Sequence, residues 1–149
     1  MNFDEILKFM GDQDRVYDDE RLGRYSSLSG LWRLDSLVDL PFQNDAQITF
    51  ELVVESKLLP DSMPKNIHWI EEHMGEIWNA AAAVINELIE AEHIQIPPAF
   101  SLGHLWVFIP DGPLQTAEWR VEIEPKDMIE SFEVVFNGLN ILRYASLGP

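Results

Sequence analysis

The sequence predicts an α+β domain: a curved antiparallel sheet of about five to six strands, one long helix packed across a face of it, and a short N-terminal helix. Three observations carry this expectation. Several stretches alternate apolar and polar residues with period two, as half-buried strands do. Asn137-Gly138 stands between two apolar stretches and marks a tight hairpin. One long stretch, Asn66–Glu92, instead repeats its apolar residues at spacings of three and four.

Taken in order, Asn2–Met10 reads as a short helix capped by Asn2, with Phe3, Ile6, Leu7 and Met10 on one stripe and Gly11 ending it. Gly11–Gly30 reads as a polar, irregular loop in which Arg15, Arg21 and Arg24 interleave with acids. A calcium-loop template fails there, because Val16 and Tyr17 stand where a ligand and a glycine are needed. Leu31–Leu40 and Gln47–Glu55 alternate and are expected to form a hairpin around Pro41–Asp45.

Leu58–Lys65 leads into the long helix, whose start is set by Pro64 and Asn66. Ile67, Ile70, Met74, Ile77, Ala81, Val84 and Leu88 form its apolar stripe, widened by Trp78, Ile85 and Ile89. Pro97-Pro98 forbids its continuation, and Ile94–His104 returns the chain. The run Leu105–Ile109, LWVFI, suits a central strand buried on both faces. Glu118–Glu124 alternates without error. A loop centred on Asn137-Gly138 would pair Phe136 with Leu139, Val134 with Ile141 and Phe132 with Arg143, leaving Arg143 at the rim of the core face. Nothing in the interior marks a linker, so residues 1–149 read as one globular domain.

Charge narrows the function classes. Twenty-six acids face ten bases, a formal net charge of −16. Nucleic acid and anionic membranes would be repelled, whereas a cationic protein would be attracted. There is no cysteine, so no disulfide, thiolate nucleophile or Cys-ligated metal is available. The stretch MNFDEILKFMGDQD has no basic n-region and no long apolar core, which points to a cytoplasmic protein.

No Lys or Arg occurs from Asn66 to Trp119, although eight acids do. Within that segment the helix carries Glu72, Glu76, Glu87 and Glu90 opposite its apolar stripe, with Glu72 and Glu76 one turn apart. The outer face of the strand near residue 120 carries Glu118, Glu122 and Glu124. Both are candidate partner-binding surfaces, against the plainer reading of a solvated face. Of the five tryptophans, Trp32, Trp78, Trp106 and Trp119 fit core positions. Trp69 lies beside the helix stripe, as a partly buried anchor or a partner-binding hot spot.

Catalytic and metal chemistry find little purchase. His68, His73, His93 and His104 all fall in the base-free segment, but His68 and His73 stand about 140° apart on a helix and cannot share an ion. Glu72-His73 reverses the HExxH order, and Ser26–Gly30 is not GxSxG. No metal, cofactor or catalytic residue is expected.

The layout carries a resemblance. An early hairpin with a tryptophan, LWRLDSLVDLPFQNDAQITFELVVE, precedes the long helix, followed by LWVFIP and a closing W-x-V-x-I…F-x-V-x-F-N-G hairpin. This resembles small bacterial domains found among polymorphic-toxin immunity proteins, including those of contact-dependent growth inhibition. The likeness covers most of the chain and lies in layout and composition, so no site residue carries over. It implies a protein that binds and neutralises a cognate toxin domain, often a cationic nuclease. The alternatives are a small carboxylate-based enzyme or ligand-binding domain, and a non-catalytic adaptor subunit. Oligomeric state is not legible.

Overall fold

The computed structural model describes residues 15–19, 23–28, 30–40, 43–91, 102–126 and 130–148. The expected helix at Asn2–Met10 lies outside them, as do His93 and the Pro97-Pro98 stop. The architecture is α+β. Eight strands lie side by side in sequence order in one sheet: β1 (Arg15–Asp19), β2 (Gly23–Leu28), β3 (Leu31–Leu40), β4 (Gln43–Leu52), β5 (Leu102–Ile109), β6 (Glu118–Pro125), β7 (Ser131–Asn137) and β8 (Asn140–Gly148). Among the described residues, two helices, α1 (Ser62–Glu72) and α2 (Met74–Ala91), lie between β4 and β5.

The sheet is mixed, where an antiparallel one was expected. β4 and β5 run parallel, from Gln47 opposite His104 to Leu52 opposite Ile109, and every other pair is antiparallel. The helices account for the exception. They carry the chain back over the sheet between β4 and β5, and parallel neighbours need such a crossover.

β1 and β2 occupy part of the stretch expected to be loop. Its charges conceal a hairpin in which Tyr25 and Ser27, alternate residues of β2, are buried. β6 matches its alternation: Trp119, Val121 and Ile123 are buried and face the helices together with Phe132, Val134 and Phe136 of β7. Phe50 and Leu52 of β4, Val107 and Ile109 of β5, and Ile67, Ile70, Ile77 and Ile85 of the helices complete that core.

The long helix is broken at His73, whose φ of −105° and ψ of 12° are not helical. Its backbone N–H bonds the Trp69 and Ile70 carbonyls at 3.1 and 3.2 Å, and its Nδ1–H reaches the same Trp69 carbonyl at 2.8 Å. Gly75, a poor helix former, stands two residues on. Glu72 and Glu76 therefore end one helix and begin another. α1 also starts earlier than expected, after Asp61, with Pro64 in its first turn, where a missing N–H costs nothing. Asn66 is no cap. It is buried, and its Nδ2 donates to the Gly112 carbonyl at 2.8 Å, while Ser62 Oγ donates to Asp111 Oδ1 at 2.6 Å. Both bonds fasten α1 to the turn between β5 and β6.

The β7–β8 register also differs from expectation. Asn137 pairs with Asn140, so the loop is Gly138-Leu139, with Gly138 at φ 57°. The turn is held from outside: Gly138 N–H donates to the Leu114 carbonyl at 2.8 Å, and Trp119 Nε1–H donates to the Gly138 carbonyl at 3.0 Å. Phe136 then opposes Ile141, Val134 opposes Tyr144, and Arg143 lies opposite Val135 on the outer face.

Candidate functional site

Two surfaces contain the residues singled out from the sequence. The first is the solvent side of the helices. Glu72, Glu76, Glu87 and Glu90 are all exposed. α2 contains no base, and α1 only Lys65. Among the described residues no ion pair forms to Glu72, Glu76 or Glu90. Glu87 is engaged: Tyr144 Oη on β8 donates to its Oε2 at 2.8 Å. That bond, with the charge of Glu87, raises the Tyr144 pKa above its ordinary value. Trp69 is half-buried. Its ring lies 4.5 Å from that of His73 and meets Trp119 edge-on at 6.2 Å, so it anchors α1 to the sheet.

The second surface is the sheet face turned away from the helices. LWVFI is not buried on both sides: Leu105, Val107 and Ile109 are buried, while Trp106 and Phe108 point outward and are half-exposed. β5 also starts earlier than expected. Gly103 is an extra residue between Leu102, opposite Pro125, and His104, opposite Glu124. A Cβ at Gly103 would stand 2.9 Å from the Glu124 carbonyl oxygen, so only glycine lets the strands approach here. Gln43 clamps the same point, donating to the Leu102 carbonyl at 2.8 Å and accepting from its N–H at 2.9 Å.

His104 is thereby brought into the sheet. It stacks on Trp106 at 4.5 Å, and its Nε2 is 2.8 Å from Thr49 Oγ1. Thr49 is only 1% exposed, and its hydroxyl donates to Asp35 Oδ1 at 2.7 Å. A hydroxyl has one proton. Donating it to the Asp35 carboxylate leaves Thr49 to accept from His104, so Nε2 carries the ring proton and Nδ1 is the lone-pair nitrogen of the neutral imidazole. These residues line an open depression of about 390 Å³ with Arg33, Ser36, Leu37 and Gln47. Reading the chain in sequence missed this cluster, because its members lie on three strands joined by the parallel pairing.

Among the described residues, the sheet face is charge-compensated and the helix side is not. Arg33 pairs with Asp35 at 3.2 Å and lies over Trp106. Arg120 lies over Phe108, 3.9 Å from Glu133. Arg143 bonds Glu118 at 2.6 Å, which holds the Glu118 carboxyl below the ordinary range. Glu122 and Glu124 share this face, opposite Trp106 and His104.

Among the described residues, no group of three or more His, Cys, Asp or Glu is placed to hold a metal ion, and no helix is long and apolar enough to cross a membrane. Compared with known protein families, curated proteins and solved structures, the chain matches none.

Proposed function

We propose that this chain is a non-catalytic binding protein for a cationic protein: a cytoplasmic bacterial immunity protein that neutralises a cognate basic toxin domain. One observation carries the choice of surface. The helix side exposes Glu72, Glu76, Glu87 and Glu90 with Lys65 as the one base on either helix, whereas the sheet face sets Arg33, Arg120 and Arg143 among its acids. An acidic surface on which Glu72, Glu76 and Glu90 make no ion pair among the described residues, on a chain of net charge −16, steers a cationic partner toward it and speeds association.

The test is to look beside this chain's gene for an exported toxin and to measure association kinetics with its toxin domain; a neighbourhood with no such gene counts against the reading. The rate is expected to fall steeply between low and physiological salt. Glu72→Lys/Glu76→Lys/Glu90→Lys should slow it by about tenfold or more, and Glu118→Lys/Glu122→Lys/Glu124→Lys by less. A salt-independent rate would remove the charge argument.

A second reading rests on the Asp35–Thr49–His104 array. An imidazole oriented with Nδ1 as its acceptor nitrogen suits a ligand-binding depression. It would be favoured if a small molecule perturbed the His104 and Trp106 resonances alone.

A further inference from the structure

We infer that the acidic side of α2 and the outer edge of β8 form one docking strip for a basic segment with interleaved apolar residues, an inference that rests on the cationic partner proposed above. β8 ends the strand order, so among the described residues no strand covers its outer side. Exposed edges are ordinarily defended by lysine, proline or other charge, or interrupted by bulges, and β8 has only the last of these. β8 contains neither lysine nor proline, and its one charge, Arg143, is bonded to Glu118 on the outer face.

In their place the edge shows leucine. The pairing with β7 steps from Arg143 to Ile141 and from Gly148 to Ser146, leaving Leu142 and Leu147 with no opposite residue. These two are 52% and 45% exposed, and Tyr144 between them 38%. Both irregular positions of the edge thus turn a large apolar side chain to solvent, as recognition would require and as solubility would not. Acids flank the row: Glu87 holds the Tyr144 hydroxyl at 2.8 Å, and Glu130 holds that of Ser146 at 3.2 Å. Glu90 lies one turn beyond Glu87. Apolar residues bordered by carboxylates fit a segment in which Val, Leu or Phe alternate with Lys or Arg. A second copy of this chain fits worse, since it would bring another charge of −16 to the same place.

The probe is a blocked twelve-residue peptide of alternating Val and Lys, with oligolysine and a Val/Glu peptide as controls. Binding to the full chain is followed by anisotropy and backbone amide shifts. The Val/Lys peptide should bind, shifting Arg143–Ser146 and the C-terminal half of α2, and the Val/Glu peptide should not. Leu142→Ser/Leu147→Ser alters exposed side chains and should weaken Val/Lys binding by about tenfold while leaving oligolysine binding unchanged. Undiminished Val/Lys binding by that variant would overturn the docking strip and leave the cationic-partner reading standing. If neither cationic probe binds the native chain, both readings fall. If the native chain dimerises in sedimentation and the double variant does not, the strip joins copies of this chain, and the basic partner is wrong.

Discussion

Replacing Thr49 with valine tests the hydrogen-bond logic of the outer face. The change keeps shape and β-branching and removes one hydroxyl, so no cavity is made. Two bonds disappear, to Asp35 at 2.7 Å and to His104 at 2.8 Å. Each is worth about 1 kcal/mol net. Asp35 is two-thirds exposed and regains water, which limits its share. The His104 ring is confined between Thr49 and Trp106, so its freed N–H is less easily solvated. The methyl that replaces the hydroxyl offsets part of the loss by burial. The net expectation is about 1–2 kcal/mol of destabilisation, read from chemical denaturation at unchanged m value, or about 2–8 °C in Tm for a chain of this size. The sharper readout is the imidazole. Long-range ¹H–¹⁵N correlation should find neutral His104 as the Nε2–H tautomer in the native chain and a mixture in Thr49→Val. Finding Nδ1–H in the native chain would refute the assignment of donors, whatever the stability change.

Three further outcomes are expected. Gly103→Ala should cost about 1–3 kcal/mol, because its Cβ would meet the backbone of Glu124 at 2.9 Å and of Lys126 at 3.3 Å; unaltered denaturation would show that the bulge yields freely. Asn66→Ala should cost about 1–3 kcal/mol by orphaning the Gly112 carbonyl, and amide exchange should rise first at the start of α1 and the turn after β5. The Tyr144 hydroxyl favours its protonated form in the fold, so its contribution is full below the ordinary tyrosine value of about 10 and is lost as pH rises through the higher folded value. Tyr144→Phe should flatten that alkaline limb in a pH series of denaturation curves, and an unchanged limb would count against the Glu87 bond.

Legibility in the sequence followed locality. β6 coincides with unbroken alternation and β3 with alternation interrupted at Ser36-Leu37, and the apolar stripe of α1 and α2 identified the residues that face the sheet. The break at His73 was hidden, since Ile70, Met74 and Ile77 keep the helical spacing across it. Its signal was Gly75, two residues after a histidine able to bond its own helix. The parallel β4–β5 pairing left no local trace, and with it went the meeting of Thr49 and His104. The expected β7–β8 register failed because Gly138 is fixed by Leu114 and Trp119, partners that the turn dipeptide does not contain. Glu72, Glu76, Glu87 and Glu90 were legible as an exposed set. Their contrast with the sheet face was not, because Arg33, Arg120 and Arg143 meet there from three separate strands.

The single parallel seam has a kinetic consequence. β1 to β4 and β5 to β8 are two meanders, each made of neighbours in sequence and held within by short hairpins. Among the described residues, the seam and the helices that cover it are what join the two meanders. Ordering the long intervening segment must precede the contacts that reward it, so the search for Phe50 against Val107 is expected to set the folding rate. Truncating either of these side chains should slow refolding, whereas truncating Val134, deep in the second meander, should chiefly speed unfolding.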